Sequence, residues 1–116
     1  MTRRQENEFL KRMEAAKSNN IIVPEKMTLS SEIRGVYGFF AIKGDEEVLS
    51  YIGKSNNIFN RMFSGGHIYH YLRGVRKTDV QKRMAYYLEN GYKIEVRILK
   101  EVEYVGDSFI QDANRL

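Results

Sequence analysis

The chain has 116 residues, of which 42% are hydrophobic and 29% are charged, with a formal net charge of +4 and no cysteine. This composition is typical of a folded, soluble domain and excludes an intrinsically disordered chain, a disulfide framework and a zinc site built on thiolates. No window approaches the roughly 18 apolar residues of a membrane span, and the charged N-terminus is unlike a signal peptide, so we expect a cytoplasmic protein without a membrane partner.

Positive charge is concentrated in the middle of the chain. Between Lys54 and Arg83 there are seven basic residues and one acid, Asp79, a net charge of +6. A local excess of this size favours a polyanionic partner, and its alternative is a solvated helix face.

The N-terminal part predicts one helix followed by a connector. Phe9, Met13 and Ala16 recur at i, i+4 and i+7 within residues 3–17, which is the pattern of an amphipathic helix. We expect its apolar side to pack on the following domain. The alternatives are self-association through this helix and contact with a nucleic-acid backbone through Arg3, Arg4, Lys11 and Arg12. We therefore divide the chain into an N-terminal helix and connector (1–34) and a main domain (35–116).

The main domain begins with a predicted β-hairpin. Residues 35–43 and 48–52 are rich in β-branched and aromatic side chains, and a turn separates them at residues 44–47. Serine and asparagine at residues 55–57 then predict the start of a short helix that ends near Phe63.

Three further helices and one strand are predicted downstream. Helical spacing predicts helices over residues 67–73 and 79–90, the second capped by Thr78 or Asp79. Strict alternation over residues 92–99 predicts a half-buried strand, the third of one sheet. A last helix is predicted over residues 109–116.

Two short signatures stand out within the predicted hairpin. Gly35-Val36-Tyr37 lies in the first strand, Tyr51-Ile52-Gly53 lies in the second, and Arg61 follows Gly53 by eight positions on the next helix. If the strands pair, both phenols can face one groove. The chain lacks the common phosphate-loop, nucleophile-elbow, zinc-helix and cysteine-nucleophile motifs.

This arrangement resembles the GIY-YIG nuclease family, with valine in place of the isoleucine of the first signature. The resemblance extends over roughly residues 34–100 and implies an α+β fold, a small three-stranded antiparallel sheet flanked by helices. It also implies an endonuclease that hydrolyses DNA phosphodiester bonds with one divalent metal ion, Mg²⁺ or Mn²⁺.

The resemblance assigns roles to individual residues. Tyr37 is the expected general base, which requires a nearby cation because a free phenol has a pKa of about 10. Tyr51 is expected to position the water or the phosphate, and Arg61 to hold the scissile phosphate. His67, just past the glycine pair, is the alternative acceptor of the water's proton or a donor to a phosphate oxygen. The expected substrate-binding residues are Lys54, Ser55, Asn57 and His70.

The metal ligands are not identified by the sequence. The family places a glutamate on the helix after the third strand, whereas residues 109–116 contain only Gln111 and Asp112 as partial substitutes. Magnesium prefers carboxylate and other oxygen ligands. Two alternatives follow: the glutamate lies beyond Leu116, or the protein is a catalytically inactive nucleic-acid binding module.

Overall fold

The structure is a computed structural model that describes residues 2–28, 32–64 and 66–102. The helix predicted over residues 109–116 lies outside these ranges. The described residues form, in chain order, α1 (Arg3–Ser18), β1 (Ile21–Ile22), β2 (Gly35–Lys43), β3 (Glu46–Ser55), α2 (Ile58–Phe63), α3 (His67–Leu72), α4 (Asp79–Glu89) and β4 (Lys93–Glu101).

The helix predicted at the N-terminus is confirmed as α1. A capping box starts it, in which the Thr2 side chain accepts a hydrogen bond from the Gln5 backbone N–H and the Gln5 side chain returns to the Thr2 backbone. Its apolar side packs on the rest of the molecule: Ala16 is fully buried, and the Phe9 ring lies 5.5 Å from that of Phe59. The expected packing of this helix is therefore observed.

Within the described residues, the sheet has four strands in the order β1-β4-β2-β3, and β2 pairs antiparallel with both β3 and β4. The α+β class is confirmed, but the prediction of a three-stranded antiparallel sheet is wrong. Ile21 and Ile22 pair in parallel with Ile94 and Glu95 of β4, which adds a fourth strand and makes the sheet mixed. Two residues are too short to show alternation, so the sequence pattern does not distinguish this strand from the connector.

The register of β2 shifts once against each of its two neighbouring strands. The pairing of β2 with β3 shifts between Phe39 and Phe40, so that Ser50 is the extra residue of a bulge. The bulge keeps Tyr51 and Val48 on one face although an odd number of positions separates them. A second shift, between β2 and β4, comes immediately before Tyr37.

The core lies between the helices and one face of the sheet. Residues of every helix and strand join this buried cluster or pack against it, including the N-terminal residues Ala16, Ile21 and Met27. The other face of the sheet leaves Leu49, Ile52 and Leu99 about half exposed. Within the described ranges, no helix is long and apolar enough to cross a membrane.

Candidate active site

The two signature tyrosines lie on adjacent strands and point to the helical face of the sheet. Tyr37 of β2 is paired with Gly53, and Tyr51 of β3 is paired with Phe39. The centroids of the two tyrosine rings are 6.2 Å apart. Tyr37 is only 1% exposed, whereas Tyr51 is half-buried.

Gly53 leaves the space that the Tyr37 ring occupies. A Cβ atom at residue 53 would lie 2.4 Å from the Tyr37 hydroxyl oxygen and 2.5 Å from its Cζ, closer than packed atoms approach. The glycine of the second signature therefore has a steric function, which is to let the first tyrosine lie flat across β3.

Arg61 is placed by the short helix α2. The Asn57 side chain caps this helix by accepting a hydrogen bond from the backbone N–H of Asn60 at 3.1 Å. Arg61 lies exposed in the last turn, and its carbonyl oxygen would lie 1.5 Å from a Cβ at residue 66. Only glycine at residue 66 allows α3 to begin so close to α2.

His67 begins α3 directly after Gly66 and is 6% exposed. Its Nε2 lies 3.0 Å from the Tyr37 hydroxyl oxygen, which is hydrogen-bond distance. Its ring also lies 5.2 Å from that of Tyr51 and 5.5 Å from that of Phe39, edge-on in both cases. The imidazole is thus enclosed by aromatic rings with one polar partner.

The environment keeps both members of the Tyr37–His67 pair neutral. Burial, reinforced by the Arg61 guanidinium and by His70, lowers the pKa of His67 to about 4. Burial also raises the pKa of Tyr37, the Tyr51 phenol adds to this effect, and Arg61 opposes it. At neutral pH a protonated phenol therefore faces an uncharged imidazole that is able to accept a proton.

A groove of about 370 Å³ opens beside this pair. It contains a permanent cation, two imidazoles and a phenol, a set suited to an anionic group such as a phosphate. Its lining residues are Tyr51, Arg61, Gly66, His67, His70, Thr78, Val80 and Gln81. Tyr37 is not among them and reaches the groove through His67.

Sequence reasoning missed the contribution of α4 to this groove. The Gln81 side chain is buried, and its Oε1 accepts hydrogen bonds from the backbone N–H groups of Lys77 at 2.7 Å and Thr78 at 3.0 Å. The spacing of Thr78 and Gln81 is that of a capping box, which the sequence does contain. The capping box predicts where the helix starts, but it does not predict that this helix start lies beside a groove.

Three of the expected substrate-binding residues lie outside the groove lining. Strand alternation directs Lys54 to the face opposite Tyr51. The Ser55 hydroxyl donates to the Asn57 carbonyl oxygen at 2.9 Å and accepts from the Asn57 N–H at 3.1 Å, while Asn57 caps α2. Ser55 and Asn57 thus shape the loop before α2, and of the four expected residues the groove contains His70.

The described residues do not fit a magnesium or manganese ion. Over residues 2–28, 32–64 and 66–102, no group of three or more histidine, cysteine, aspartate or glutamate side chains could hold a metal. Among the described residues, the groove lining contains no carboxylate and includes the cationic Arg61. Gln111 and Asp112, the partial substitutes for the family's glutamate, lie outside the described ranges.

We compared the chain with protein-family models, curated proteins and solved structures. No family model, no curated protein and no solved structure matches it. Function is therefore inferred from the groove and from the motifs that build it.

Proposed function

We propose that the protein is an endonuclease of the GIY-YIG type that hydrolyses DNA phosphodiester bonds at this groove. The observation that supports the proposal is convergence: Tyr37, Tyr51, Arg61 and His67 come from four different elements and meet at one place. A tyrosine that only packs in a strand does not require these other side chains beside it.

Arg61 is the residue proposed to hold the scissile phosphate. Its guanidinium keeps its charge at any working pH and presents several N–H donors in one plane, which suits phosphate oxygens. Negative charge grows on these oxygens as the bond is broken, so a fixed cation stabilises the transition state more than the ground state.

The Tyr37–His67 pair is proposed to accept the proton of the attacking water. The resemblance assigns the base role to Tyr37, but His67 is the member of the pair that lines the groove. In the tautomer whose Nε2–H donates to the phenol oxygen, Nδ1 is free to take the proton. Tyr37 then fixes the tautomer and orientation of the imidazole, and Tyr51 positions the water or the phosphate.

The decisive experiment is nicking of supercoiled plasmid DNA with Mg²⁺ or Mn²⁺ and with EDTA. Arg61→Ala and His67→Gln are expected to slow cutting by at least about 100-fold, because each removes a charge-stabilising or proton-accepting group. Tyr37→Phe is expected to slow it less, because it removes only the partner of the imidazole. Tyr86→Phe, at an exposed tyrosine of α4, and Lys93→Ala, at an exposed lysine of β4, are the matched controls. Equal cutting by all five variants and the unmodified protein would refute the proposal.

A nucleic-acid binding module that does not cut is the second candidate. It is favoured by the lack of a carboxylate among the described groove residues. Steeply salt-dependent DNA binding without any metal-stimulated nicking would select this function over the first.

A further inference from the structure

An aromatic ring with two arginines over it lies on the surface between α1 and α3. The Cζ of Arg12 lies 4.4 Å from the centroid of the Tyr69 ring, and the Cζ of Arg73 lies 5.4 Å from it. Arg73 also donates a hydrogen bond to the Tyr69 hydroxyl. A shallow pocket of about 360 Å³ is formed here by these residues with Glu8, Lys11, Ala15 and Leu72.

The two guanidiniums are held in place by contacts within the protein. Arg12 is half-buried, donates to the Phe63 carbonyl oxygen at 2.8 Å and lies over the Phe9 ring at 5.2 Å. Such contacts already restrict the rotamers of the arginine in the free protein, so less conformational entropy is lost when a ligand binds. The cations are therefore preorganised for a ligand.

This surface carries an excess of positive charge without a paired acid. Lys11, Arg12 and Arg73 stand against Glu8, a local charge of +2. Among the described residues, no carboxylate lies within ion-pair distance of Arg12 or Arg73. Like charges that are fixed close together repel each other, and a bound anion relieves that repulsion.

The ring itself is not a free platform for a nucleobase. Tyr69 is half-buried, and two guanidiniums already lie over it. We expect the ring to hold the cations, so the surface contacts phosphates and reads no bases. This favours a duplex, whose bases are stacked inside, over a single strand.

The same short helix connects this surface to the groove. His67 and His70 lie on the groove side of α3, and Tyr69 and Arg73 project to the other side, because successive residues of a helix are about 100° apart. A helix with its side chains is about 10–12 Å wide, so the two places are roughly one helix width apart. A nucleic-acid backbone that reaches the groove passes within reach of Arg12 and Arg73.

We propose that the arginine–tyrosine surface, formed by Lys11, Arg12, Tyr69 and Arg73, binds the phosphodiester backbone of duplex nucleic acid next to the groove. The inference deepens the proposed function and rests on it for the identity of the ligand. It assigns to α1, which precedes the hairpin signatures, a direct part in holding the substrate.

The test is the salt dependence of binding of the full chain to a short labelled DNA duplex in EDTA, where no metal-dependent cutting occurs. The Arg12→Gln/Arg73→Gln variant removes two phosphate contacts, so the slope of log K against log salt is expected to fall in magnitude by about 1.8. Arg12→Lys/Arg73→Lys keeps both charges and is expected to retain most of the slope. The matched control is Lys93→Gln/Lys100→Gln, which removes two exposed charges from β4 and should leave the slope nearly unchanged.

Each result separates this inference from the proposed function. A slope that is unchanged in Arg12→Gln/Arg73→Gln, or reduced equally in the β4 control, overturns the inference even if the protein cuts DNA. A reduced slope in a protein that never cuts supports the surface and refutes the nuclease. A protein that binds phosphatidylserine vesicles but no duplex overturns the inference. Thermal unfolding of every variant shows whether a reduced slope is caused by loss of folding. If the double variant does not fold, Arg73→Gln alone replaces it, and this variant is expected to lower the magnitude of the slope by about 0.9.

Discussion

At His67, burial and a neighbouring guanidinium act in the same direction on one imidazole. Both disfavour its charged form, which is why its pKa falls to about 4. The phenol of Tyr37 gives the neutral ring its polar partner, at 3.0 Å. The stability of the folded chain therefore depends on pH through this pair, whether or not the pair takes part in catalysis.

We predict that His67 makes folding sensitive to mild acid. An unfolded chain binds a proton at this residue below about pH 6.5, whereas the folded chain resists it down to about pH 4. The stabilisation from the neutral ring is thus complete above pH 6.5 and is lost as the pH falls to 4, by up to about 3 kcal/mol. Urea unfolding at pH 7 and pH 4 measures this loss.

The comparison that isolates His67 uses the other histidine of the chain. His67→Gln is expected to reduce the difference in unfolding free energy between the two pH values by most of this amount, and His70→Gln is expected to retain it. The prediction fails if both variants keep the full difference, since carboxylates would then account for all of it.

The residues of the candidate site were largely predictable one by one, but their contacts were not. The neighbouring glycines and the spacing indicated Tyr37, Tyr51 and Arg61, because a position where a side chain would clash requires glycine in the sequence. The bond between Tyr37 and His67 joins residues 30 positions apart and depends on where α3 begins. The capping-box spacing of Thr78 and Gln81 predicts a helix start, but it does not predict that Gln81 is buried beside the groove.

At the scale of elements, the capping boxes of α1 and α4 can be compared directly. Thr2 with Gln5 starts α1, and Thr78 with Gln81 starts α4, with the same bonding pattern. They differ in exposure: Gln5 is exposed, while Gln81 is 6% exposed. The same chemistry therefore has different consequences in the two helices.

We predict that Gln81→Leu destabilises the protein by about 1–3 kcal/mol, because it leaves the half-buried N–H groups of Lys77 and Thr78 without their partner. Gln5→Leu removes the same kind of bond where water replaces it, so its expected cost is below about 0.5 kcal/mol. Chemical denaturation of both variants measures the two costs. Equal costs would mean that the burial of Gln81 has no energetic effect.

Repeating patterns and helix caps predicted the helices and the longer strands, including the six-residue α2 and α3, whereas the two-residue β1 was not predicted. Alternation located β4, and helical spacing located α1 and α4 to within about two residues. Strand β3 continues to Ser55, beyond the predicted end at Ile52, because Lys54 and Ser55 still find partners in Val36 and Gly35. Strand β1 forms by pairing with β4 at the edge of the sheet. This is a tertiary contact, which the two residues of β1 do not encode by themselves.

Over the whole molecule, the N-terminal residues belong to the same core as the hairpin. Although the sequence pattern predicts a boundary after residue 34, Ala16, Ile21 and Met27 are at most 1% exposed within the common cluster. The alternative in which α1 mediates self-association stays a prediction, which light scattering of the full chain tests.

We predict that Ile21→Ala costs about 2–5 kcal/mol of unfolding free energy, because a buried isoleucine leaves a cavity between α1 and the sheet. Its neighbour Ile22 is 43% exposed, so Ile22→Ala is expected to cost less than about 1 kcal/mol. Urea unfolding of the two variants gives the difference. Similar small costs for both would show that the N-terminal segment contributes little to the core.

The parallel pairing of β1 with β4 also bears on the order of events during synthesis. Ile21 pairs with Ile94, so the first strand to leave the ribosome is the last to find its neighbour. Until residues 93–101 emerge, Ile21 and Ile22 have no strand to pair with, while the hairpin of β2 and β3 needs only local contacts. During this interval the nascent chain therefore carries an unpaired apolar segment, the kind of segment that favours misassembly.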